Sequence, residues 1–505
     1  MTLPITPAFI HEIPAYWAGK TPHAICLYDT GATISYGELW QRVLSAADWL
    51  DAQGVTPGDR LLLVGENCVE MVVTLFACSL RQVWPIGVNA RLSARELDTI
   101  QQHARPALSV YTSRVSAAAA QHARLAAAQP VDCSGLAGET YFARPAERPE
   151  AETGELVPQV ASLIYTSGTT GAPKGVMVPH RGLLHFARVS ADSRAMTQDD
   201  IAFAALPLSH IFGLATVLMA TLYAGARLYL RAQFKAEDVF AALADPGISI
   251  LQGVPTMFTR MLGVAPERQV LQAPRLRYVY TGGAPLDPTL KRQVESYFGQ
   301  PMHHGYGITE YAGSLFITRQ DAPRDDTSAG YAVEGLELHI GPLDKPALPP
   351  GERGDIHVRG PGVMLGYYRN PEQTAQAILP GGWLATGDIG YVEDDGALFI
   401  VGRSKDLIIR SGFNVYPIEV EAVINAFPGV RQSAVLGKTM PDRNEEVIAF
   451  VECLPGHTLD LDALREYLRG QLAPYKQPAQ IHLIDSIPTT ISGKIQKQPL
   501  KTRLA

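Results

Sequence analysis

Along residues 33–112, the pattern of apolar and polar positions alternates between one typical of helices and one typical of strands. The segment TISYGELWQRVLSAADWLDAQGV has Ser35 and Glu38 at the capping-box spacing, and apolar residues then recur every three or four positions. This pattern predicts an amphipathic helix. The segment RLLLVGEN, residues 60–67, is a continuous apolar run typical of a buried parallel strand. Further helical and strand patterns up to residue 112 indicate an α/β architecture.

Residues 143–158 are rich in Pro and Glu, and we interpret them as an exposed loop. After this segment, the alternation of strand and helix patterns resumes. The strands predicted in this second part are VASLIY before residue 166, Ile201–Leu206, Arg227–Leu230, Ile248–Gln252 and Arg277–Tyr280. Turns of small residues, PLSH, QGVPT and TGGAP, follow three of them. Because ligands bind beyond the carboxyl ends of strands in open parallel sheets, we expect these turns to converge on one site.

The pattern of predicted elements changes after residue 325. From there to residue 402, short strands separated by Gly and Asp turns predict a small β subdomain. A smaller α+β pattern follows Arg403, with a helix predicted from Pro417 and another at Leu461–Gly470. We therefore expect an N-terminal domain of layered α/β subdomains plus the β subdomain at 1–402. A connection at 403–406 and an α+β C-terminal domain at 407–505 would complete the chain.

Composition excludes several classes of function. The chain of 505 residues has a formal net charge of −7 and no basic block, which argues against nucleic acid as a partner. The longest apolar run, Ile211–Ala226, is short and rich in Gly, Thr and Ala, so we predict a buried helix and no membrane span. The N-terminus lacks the pattern of a secretory signal, and the five cysteines form no CxxC pair. These features favour the cytoplasm, and the sequence leaves a homodimer open.

The segment YTSGTTGAPKG, residues 165–175, concentrates hydroxyls, glycines and a lysine. Glycines let the backbone approach a ligand, and hydroxyls, backbone N–H groups and a lysine bind phosphate oxygens. The segment is not a Walker A loop, because Gly171 and Lys174 are separated by Ala172 and Pro173. The alternative is a flexible surface loop.

Three further segments carry candidate chemistry. In HHGYGITE, residues 303–310, Tyr306 between two glycines suits stacking on a flat base, and Glu310 suits Mg²⁺, unless Thr309 simply caps a helix. In TGD, Asp388 suits the two hydroxyls of a ribose, or is simply a turn residue. In SGK, Lys494 near the C-terminus is a candidate catalytic cation or a solvated lysine.

Taken together and in this order, YTSGTTGAPKG, PLSH, GYGITE, TGD, GRSKD and SGK closely resemble the acyl- and aryl-CoA synthetases of the adenylate-forming superfamily. The resemblance extends from residue 33 to the C-terminal tail. It implies a two-step reaction with ATP, Mg²⁺ and coenzyme A. A carboxylic acid is first adenylated, and its acyl group is then transferred to the thiol of coenzyme A. The motif set is specific for the superfamily and much less specific for the acid.

The resemblance also implies roles for individual residues. The phosphates of ATP would be held by Thr166, Ser167, Gly168, Thr169, Thr170, Gly171 and Lys174. The adenosine would be held by Gly283, Ala284, Pro285, Gly305, Tyr306 and Gly307 around the base, and by Asp388 and Arg403 at the ribose. The catalytic set would be Thr309 at the α-phosphate, Glu310 on Mg²⁺, His210, and Lys494 bridging the substrate carboxylate and the α-phosphate.

In this superfamily the small C-terminal domain is mobile and rotates between the two steps. Lys405 matches the hinge position, although a surface lysine in a turn is the plain alternative. Gly412 would line the path of the thiol. The segment GKTMPDRNEEVIAF, residues 437–450, is shorter than usual after its PD, and Arg443 is hypothesised to compensate by meeting a CoA phosphate.

The residue types that these motifs lack restrict the class of acid that the enzyme is expected to use. PLSHIFGL contains no Asp or Glu, which disfavours an amino-acid substrate, because its ammonium would be buried unpaired. Gly305 stands where malonyl-CoA synthetases carry an arginine, which argues against a short dicarboxylate. The acyl pocket implied by the resemblance is mostly apolar and comprises His210, Phe212, Gly213, Val254, Gly282, Ala312 and Gly313.

Such a pocket fits an aromatic or a medium-chain fatty acid. For His303 and His304 we favour structural imidazoles over a role at the substrate. A second hypothesis keeps the adenylation step and hands the acyl group to a carrier-protein thiol or another acceptor.

Overall fold

The computed structural model describes residues 5–136, 138–166, 173–265, 273–410, 413–440, 444–454, 456–490 and 495–504. Within these ranges the chain is a mixed α/β structure with a large N-terminal part and a small C-terminal part. The fold class predicted from the sequence is confirmed. The α-helices, in chain order, are Glu12–Lys20, Tyr36–Ala52, Val69–Leu80, Ala94–Ala104, Ala117–Leu125, His180–Ser193, Ala220–Tyr223, Ala236–Ala244, Pro255–Val264, Pro288–Phe298, Pro371–Ala377, Pro417–Asn425, Leu461–Gln471 and Gln498–Lys501.

A nine-stranded sheet forms the centre of the N-terminal part. Its strands follow this order across the sheet: Tyr331–Ala332, Gly313–Ile317, Met302–Ile308, Tyr278–Gly282, Ile250–Gly253, Ile201–Ala204, Arg227–Leu230, Ile25–Asp29 and Ala32–Ser35. The strands from Met302–Ile308 through Ile25–Asp29 are parallel. Their carboxyl ends therefore lie along one edge, where the turns containing Ser209, Val254 and Gly283 begin.

A second sheet contains the strands predicted in the first part of the chain. Its order is Trp84–Asn89, Arg60–Gly65, Leu108–Thr112, Thr140–Ala143 and Gln129–Pro130. Every position of Arg60–Gly65 is buried, as its continuous apolar run predicts. The helix start predicted at Ser35 is also confirmed, because Ser35 accepts from the Glu38 backbone N–H and the Glu38 carboxylate accepts from the Ser35 N–H.

A hairpin and a small β subdomain complete the N-terminal part. The hairpin pairs Val160–Thr166 with Lys174–Pro179, so it flanks the phosphate motif on both sides. The β subdomain consists of Glu337–Ile340, Gly354–Arg359, Trp383–Val392, Ile378–Leu379 and Leu398–Arg403. This is the region in which short strands with Gly and Asp turns predict such a subdomain.

The C-terminal part has its own three-stranded sheet of Val430–Thr439, Glu445–Cys453 and Gln480–Leu483, preceded by the hairpin of Ile408–Arg410 and Phe413–Val415. Its helices bury Val420, Ile424, Leu464 and Leu468 in a separate core. Polar contacts join this part to the β subdomain: Ser404 donates to Asp355 at 2.6 Å, and Arg353 lies 2.5 Å from Glu419.

The apolar segment Ile211–Ala226 is buried as predicted, but its first half is not an α-helix. Residues Phe212–Met219 form a π-helix, which continues as the α-helix Ala220–Tyr223. Gly213 lies so close to Pro207 that a Cβ atom would overlap the Pro207 carbonyl oxygen. Among the helices of the described residues, none is both long enough and apolar enough to cross a bilayer.

Candidate active site

Three residues predicted to bind adenosine come together between the nine-stranded sheet and the β subdomain. Tyr306, near the end of Met302–Ile308, donates its hydroxyl to Asp388 Oδ2 at 2.5 Å. Arg403 Nε lies 2.9 Å from Oδ1 of the same carboxylate, because Asp388 and Arg403 are paired in adjacent strands. The carboxylate is 3 % exposed, so its position is fixed by two charge-assisted contacts.

The local electrostatics keep these partners in their bonding forms. Burial and the neighbouring Asp388 carboxylate raise the pKa of Tyr306 well above its ordinary value, so the phenol remains a donor. The same carboxylate raises the pKa of Arg403. Each Asp388 carboxylate oxygen keeps a lone pair that can accept a further hydrogen bond, as the predicted ribose contact requires.

Glu310 lies one short turn beyond Tyr306, in the 3-10 helix Thr309–Tyr311. Its Oε1 accepts from the Tyr367 hydroxyl at 2.9 Å, and its backbone carbonyl accepts from the Met364 N–H at 2.9 Å. Lys174 Nζ lies 4.9 Å from the centroid of the same Tyr367 ring. The Tyr367 side chain therefore contacts both Glu310 and the lysine of the phosphate motif.

Backbone pairing explains why these distant segments meet. The second strand of the hairpin is tied to residues 365–368, with Leu365 donating to Met177 at 3.0 Å and Tyr368 donating to Gly175 at 2.7 Å. Tyr367 is a residue that the sequence interpretation missed, since a tyrosine in LGYYRN carries no motif of its own. Thr309 does not cap the short helix: the cap position is Ile308.

The residues present fit a magnesium ion at Glu310. A hydrogen bond from Tyr367 orients this carboxylate, and the bond from the Met364 N–H fixes the Glu310 backbone. One carboxylate per ion is common where nucleotide phosphates supply the other ligands. Among the described residues, no group of three or more His, Cys, Asp or Glu side chains is placed to hold a metal. Phosphate oxygens and water would therefore supply most of the ligands.

Part of the predicted site lies outside the described residues. The residues concerned are Ser167, Gly168, Thr169, Thr170, Gly171, Gly412, Arg443 and Lys494. The described ends of the phosphate motif, Thr166 and Lys174, face each other as a pair in the hairpin. Just before them, the Tyr165 hydroxyl is hydrogen-bonded to His103 Nδ1 at 2.7 Å. Lys405 lies exposed in the 3-10 turn Ser404–Asp406.

The residues predicted for the acyl pocket fall into two groups. Phe212 packs edge-on against Tyr280 at 5.9 Å between ring centroids, and a Cβ at Gly282 would also contact the Tyr280 ring. His210 Nδ1 accepts from the Phe212 N–H at 3.2 Å, and Val254 caps the helix Pro255–Val264.

The second group faces the helix His180–Ser193. Ala312 has a left-handed backbone with φ of 54° and lies against Gly182, and a Cβ at Gly313 would overlap Phe186. Gly283 begins the turn beyond Tyr278–Gly282 with φ of 78°, a conformation that favours glycine.

The two histidines before Gly305 are buried with partners inside the sheet. His303 stacks on Tyr278 with 4.3 Å between ring centroids, and burial lowers its pKa to about 4. His304 Nδ1 is hydrogen-bonded to the Ser328 carbonyl at 3.2 Å. Both are neutral structural imidazoles in this arrangement, which is the interpretation favoured from the sequence.

Asn67 positions the turn that carries His210, and the sequence interpretation missed it. Its amide donates to the carbonyls of Ala204 and Leu206 at 3.2 and 2.9 Å, and its oxygen accepts from the Leu208 N–H at 2.9 Å. The side chain is 1 % exposed and uses three of its hydrogen-bonding positions on this one segment. Asn67 thereby fixes the path of the backbone into PLSH.

Replacing Asn67 with alanine is expected to raise KM for the acid by about ten- to hundredfold, because the displaced turn misplaces the acyl pocket. KM for ATP is expected to stay within about twofold, because the residues predicted to bind adenosine, Tyr306, Asp388 and Arg403, make no contact with Asn67. Initial rates over both substrate concentrations measure the two constants. Asn89→Ala is the matched control, since Asn89 ends a neighbouring strand and its side-chain oxygen accepts from the backbone and the guanidinium of Arg91, outside the PLSH segment. An equal rise in both KM values in Asn67→Ala would contradict this role.

Comparison with known proteins agrees with this geometry. The model of the AMP-binding enzyme family matches residues 15–368, and that of the AMP-binding enzyme C-terminal domain matches residues 419–494. A feruloyl-CoA synthase from Amycolatopsis is 35 % identical over 97 % of this chain and 98 % of its own length. An indoleacetate–CoA ligase from Aromatoleum aromaticum is 32 % identical over 97 % and 96 %. ATP-bound MatB from Rhodopseudomonas palustris superposes with a TM-score of 0.85 at 30 % identity, covering 98 % of each chain.

The fold and the site thus define an adenylate-forming enzyme. The chain belongs to the AMP-binding enzyme family, among its acyl- and aryl-CoA synthetases.

Proposed function

We propose that the chain is an ATP-dependent ligase that activates an aromatic carboxylic acid as its adenylate and then transfers the acyl group to coenzyme A. The observation that carries this proposal is the junction at residues 306–310. There Tyr306 and Arg403 hold the Asp388 carboxylate, and Glu310, four residues after Tyr306, is linked through Tyr367 to Lys174. One side of this junction suits an adenosine and the other suits its phosphates.

In the first step, a carboxylate oxygen of the acid forms a bond to the α-phosphorus of ATP, and the bond from that phosphorus to the β-phosphate oxygen breaks. Pyrophosphate leaves with the electron pair. Two anions must approach each other, so positioning and charge neutralisation supply most of the catalysis. Lys174 would neutralise the leaving phosphates, and Lys494 would stabilise the charge between carboxylate and α-phosphate.

Glu310 would hold Mg²⁺ together with the phosphates, and the ion would neutralise phosphate charge when bound. Asp388 and Arg403 would fix the ribose and Tyr306 the base, while Thr309, which is 5 % exposed, would contact the α-phosphate. In the second step the CoA sulfur bonds to the carbonyl carbon, AMP leaves, and the thiol proton passes to solvent. Rotation about Lys405 would bring Gly412 and Arg443 to the pantetheine and the CoA phosphates.

An aromatic acid is preferred over a fatty acid for two reasons. Phe212 and Tyr280 present two rings at a fixed edge-on angle of 84°, which suits a flat ligand better than a flexible chain. The relatives named feruloyl-CoA synthase and indoleacetate–CoA ligase carry names of aromatic acids. A reducing, cytoplasmic location is also proposed, since Cys26, Cys68, Cys78, Cys133 and Cys453 are all free thiols.

The proposal is tested by measuring pyrophosphate and AMP release with benzoates, cinnamates, medium-chain fatty acids and malonate, each with and without CoA. We expect an aromatic acid to give AMP release that depends on CoA. Pyrophosphate release that CoA leaves unchanged would instead support transfer to a carrier-protein thiol or another acceptor. Efficient use of fatty acids alone would contradict the aromatic assignment.

A further inference from the structure

The Tyr165 ring packs against the opposite end of the phosphate motif. Tyr165 is paired with Gly175 across the hairpin, and Thr166 and Lys174 form the next pair. A Cβ atom at Gly175 would lie 3.1 Å from Cζ of Tyr165, so no side chain separates the ring from the Gly175 backbone. Because Lys174 precedes Gly175 in the same strand, the Tyr165 ring fixes the strand end from which the Lys174 side chain extends.

His103 holds Tyr165 from outside the hairpin, near the end of the helix Ala94–Ala104. The Tyr165 hydroxyl is hydrogen-bonded to His103 Nδ1 at 2.7 Å, and the two rings meet edge-on with 5.8 Å between their centroids. Burial and the nearby Arg369 guanidinium lower the pKa of His103, and burial raises the pKa of Tyr165. The bond therefore joins two neutral groups that are 62 positions apart in the sequence.

Tyr368 connects His103 to the strand that carries Gly175. Its ring meets His103 edge-on at 5.8 Å between centroids, and its N–H donates to the Gly175 carbonyl at 2.7 Å. Its hydroxyl donates to Glu152 Oε1 at 2.5 Å, and Arg369 donates to the same oxygen at 3.1 Å. Tyr368 is 3 % exposed, so His103 packs against a side chain that is itself held in place.

The two adjacent tyrosines at this point have different neighbours. Tyr367 contacts Glu310 and Lys174, the two residues proposed to neutralise phosphate charge through Mg²⁺ and directly. Tyr368 contacts His103 instead. Tyr367 thus meets Lys174 directly, whereas His103 acts on the strand end of Lys174 through the Tyr165 ring.

We propose that His103 and Tyr165 are positioning residues, whose hydrogen bond holds the phosphate motif so that Lys174 meets the β- and γ-phosphates of ATP. This positioning pair rests on the proposed function and adds two residues to its first step. A misplacement of about 1 Å can lower the rate of a reaction about a hundredfold, so a bond remote from the nucleotide can matter. AMP has neither of these two phosphates, so its binding is expected to be independent of the pair.

The test compares the dissociation constants of ATP with Mg²⁺ and of AMP by isothermal titration calorimetry, which requires no knowledge of the acid. Tyr165→Phe keeps the ring against Gly175 and removes the hydroxyl. We expect its Kd for ATP to rise about five- to tenfold, as for the loss of one hydrogen bond, and its Kd for AMP to stay within about twofold. His103→Leu removes the other partner and is expected to give the same result.

The two half-reactions provide a second measurement on the same variants. Exchange between pyrophosphate and ATP, with an acid that the unmodified enzyme uses, is expected to slow by about ten- to a hundredfold in Tyr165→Phe and in His103→Leu. Thioester formation from supplied acyl-adenylate is expected to keep its rate, because pyrophosphate has left before that step. A general loss of stability would slow both half-reactions.

Three further variants distinguish positioning from a structural role. His103→Asn can place a polar atom where Nδ1 lies, and it is expected to bind ATP within about twofold of the unmodified protein. The double variant Tyr165→Phe/His103→Leu is expected to bind ATP no more weakly than either single variant, since both remove the same bond. Tyr331→Phe is the matched control, because it removes a tyrosyl hydroxyl that accepts from Arg324 at 2.7 Å in the edge strand Tyr331–Ala332. It is expected to change neither Kd.

The outcomes separate this inference from the proposed function. If the unmodified protein releases AMP in a CoA-dependent reaction while Tyr165→Phe and His103→Leu bind ATP normally, the ligase assignment stands and the positioning pair is wrong. An equal loss of ATP and AMP binding in these variants would also overturn the positioning pair. If the unmodified protein binds neither nucleotide, the proposed function fails, and the positioning pair fails with it.

Discussion

Replacing Glu310 with glutamine is expected to slow pyrophosphate release in the first half-reaction by about a hundred- to thousandfold. Glutamine keeps the size of the side chain and can still accept from the Tyr367 hydroxyl, so the 3-10 turn is expected to keep its geometry. The negative charge that suits Mg²⁺ is lost, and the phosphates then meet the incoming carboxylate with less of their charge neutralised. Isotope exchange between pyrophosphate and ATP measures this step without CoA.

Tyr367→Phe is the matched control for Glu310→Gln. It keeps the ring beside Lys174 and removes only the hydroxyl that donates a hydrogen bond to Glu310. We expect a reduction of about tenfold, since one hydrogen bond to a charged group is lost while the charge itself remains. Raising the Mg²⁺ concentration is expected to restore part of the activity in Glu310→Gln only. Exchange at the unmodified rate in Glu310→Gln would remove Glu310 from the metal site.

Removing the Lys494 side chain is expected to lower adenylate formation by about a hundred- to thousandfold, while ATP binding stays within about threefold. Lys494 is proposed to bridge the carboxylate and the α-phosphate, where its charge would stabilise the negative charge that develops. The residues predicted to bind adenosine, Asp388 and Tyr306, are held by each other and by Arg403. Thioester formation from supplied acyl-adenylate is expected to persist in Lys494→Ala, because that step no longer involves the α-phosphate bond change.

Lys501→Ala provides the control for Lys494→Ala, because Lys501 is an exposed lysine of the same tail, at the end of the helix Gln498–Lys501. It is expected to leave both half-reactions unchanged. Single-turnover measurements with and without added adenylate resolve the two steps. Adenylation at the normal rate in Lys494→Ala would disprove the assigned role.

Regular elements were predictable from the sequence where local pattern and burial agree. The strand Arg60–Gly65 and the helix that begins after Ser35 are specified by neighbours in sequence, namely a continuous apolar run and a capping box. The strand Arg227–Leu230 was predicted with its observed bounds. Tyr306, Glu310 and Asp388 were singled out because each stands in a short motif whose chemistry is local, and the structure pairs two of them, Tyr306 and Asp388.

The residues that the sequence did not indicate act across long separations. Asn67 bonds to Ala204, 137 positions away, and Tyr367 bonds to Glu310, 57 positions away. A buried asparagine or tyrosine has no local pattern that announces such a partner, and only the topology of the sheets brings the two segments together. Tyr165 was included in the phosphate motif, but its bond to His103 is visible only when the neighbours of the motif are known.

The π-helix also escaped prediction, because an apolar segment buried on all sides shows no periodicity that distinguishes one helical spacing from another. Its geometry has a consequence for how this enzyme could evolve. Such wide turns are rare and recur at functional sites. Deleting one residue within Phe212–Met219 would let the segment close as an α-helix, and the tighter, shorter segment would shift His210 and Phe212 relative to the helix that follows. The loss of one codon is therefore expected to move several residues of the predicted acyl pocket together, whereas a substitution alters one side chain.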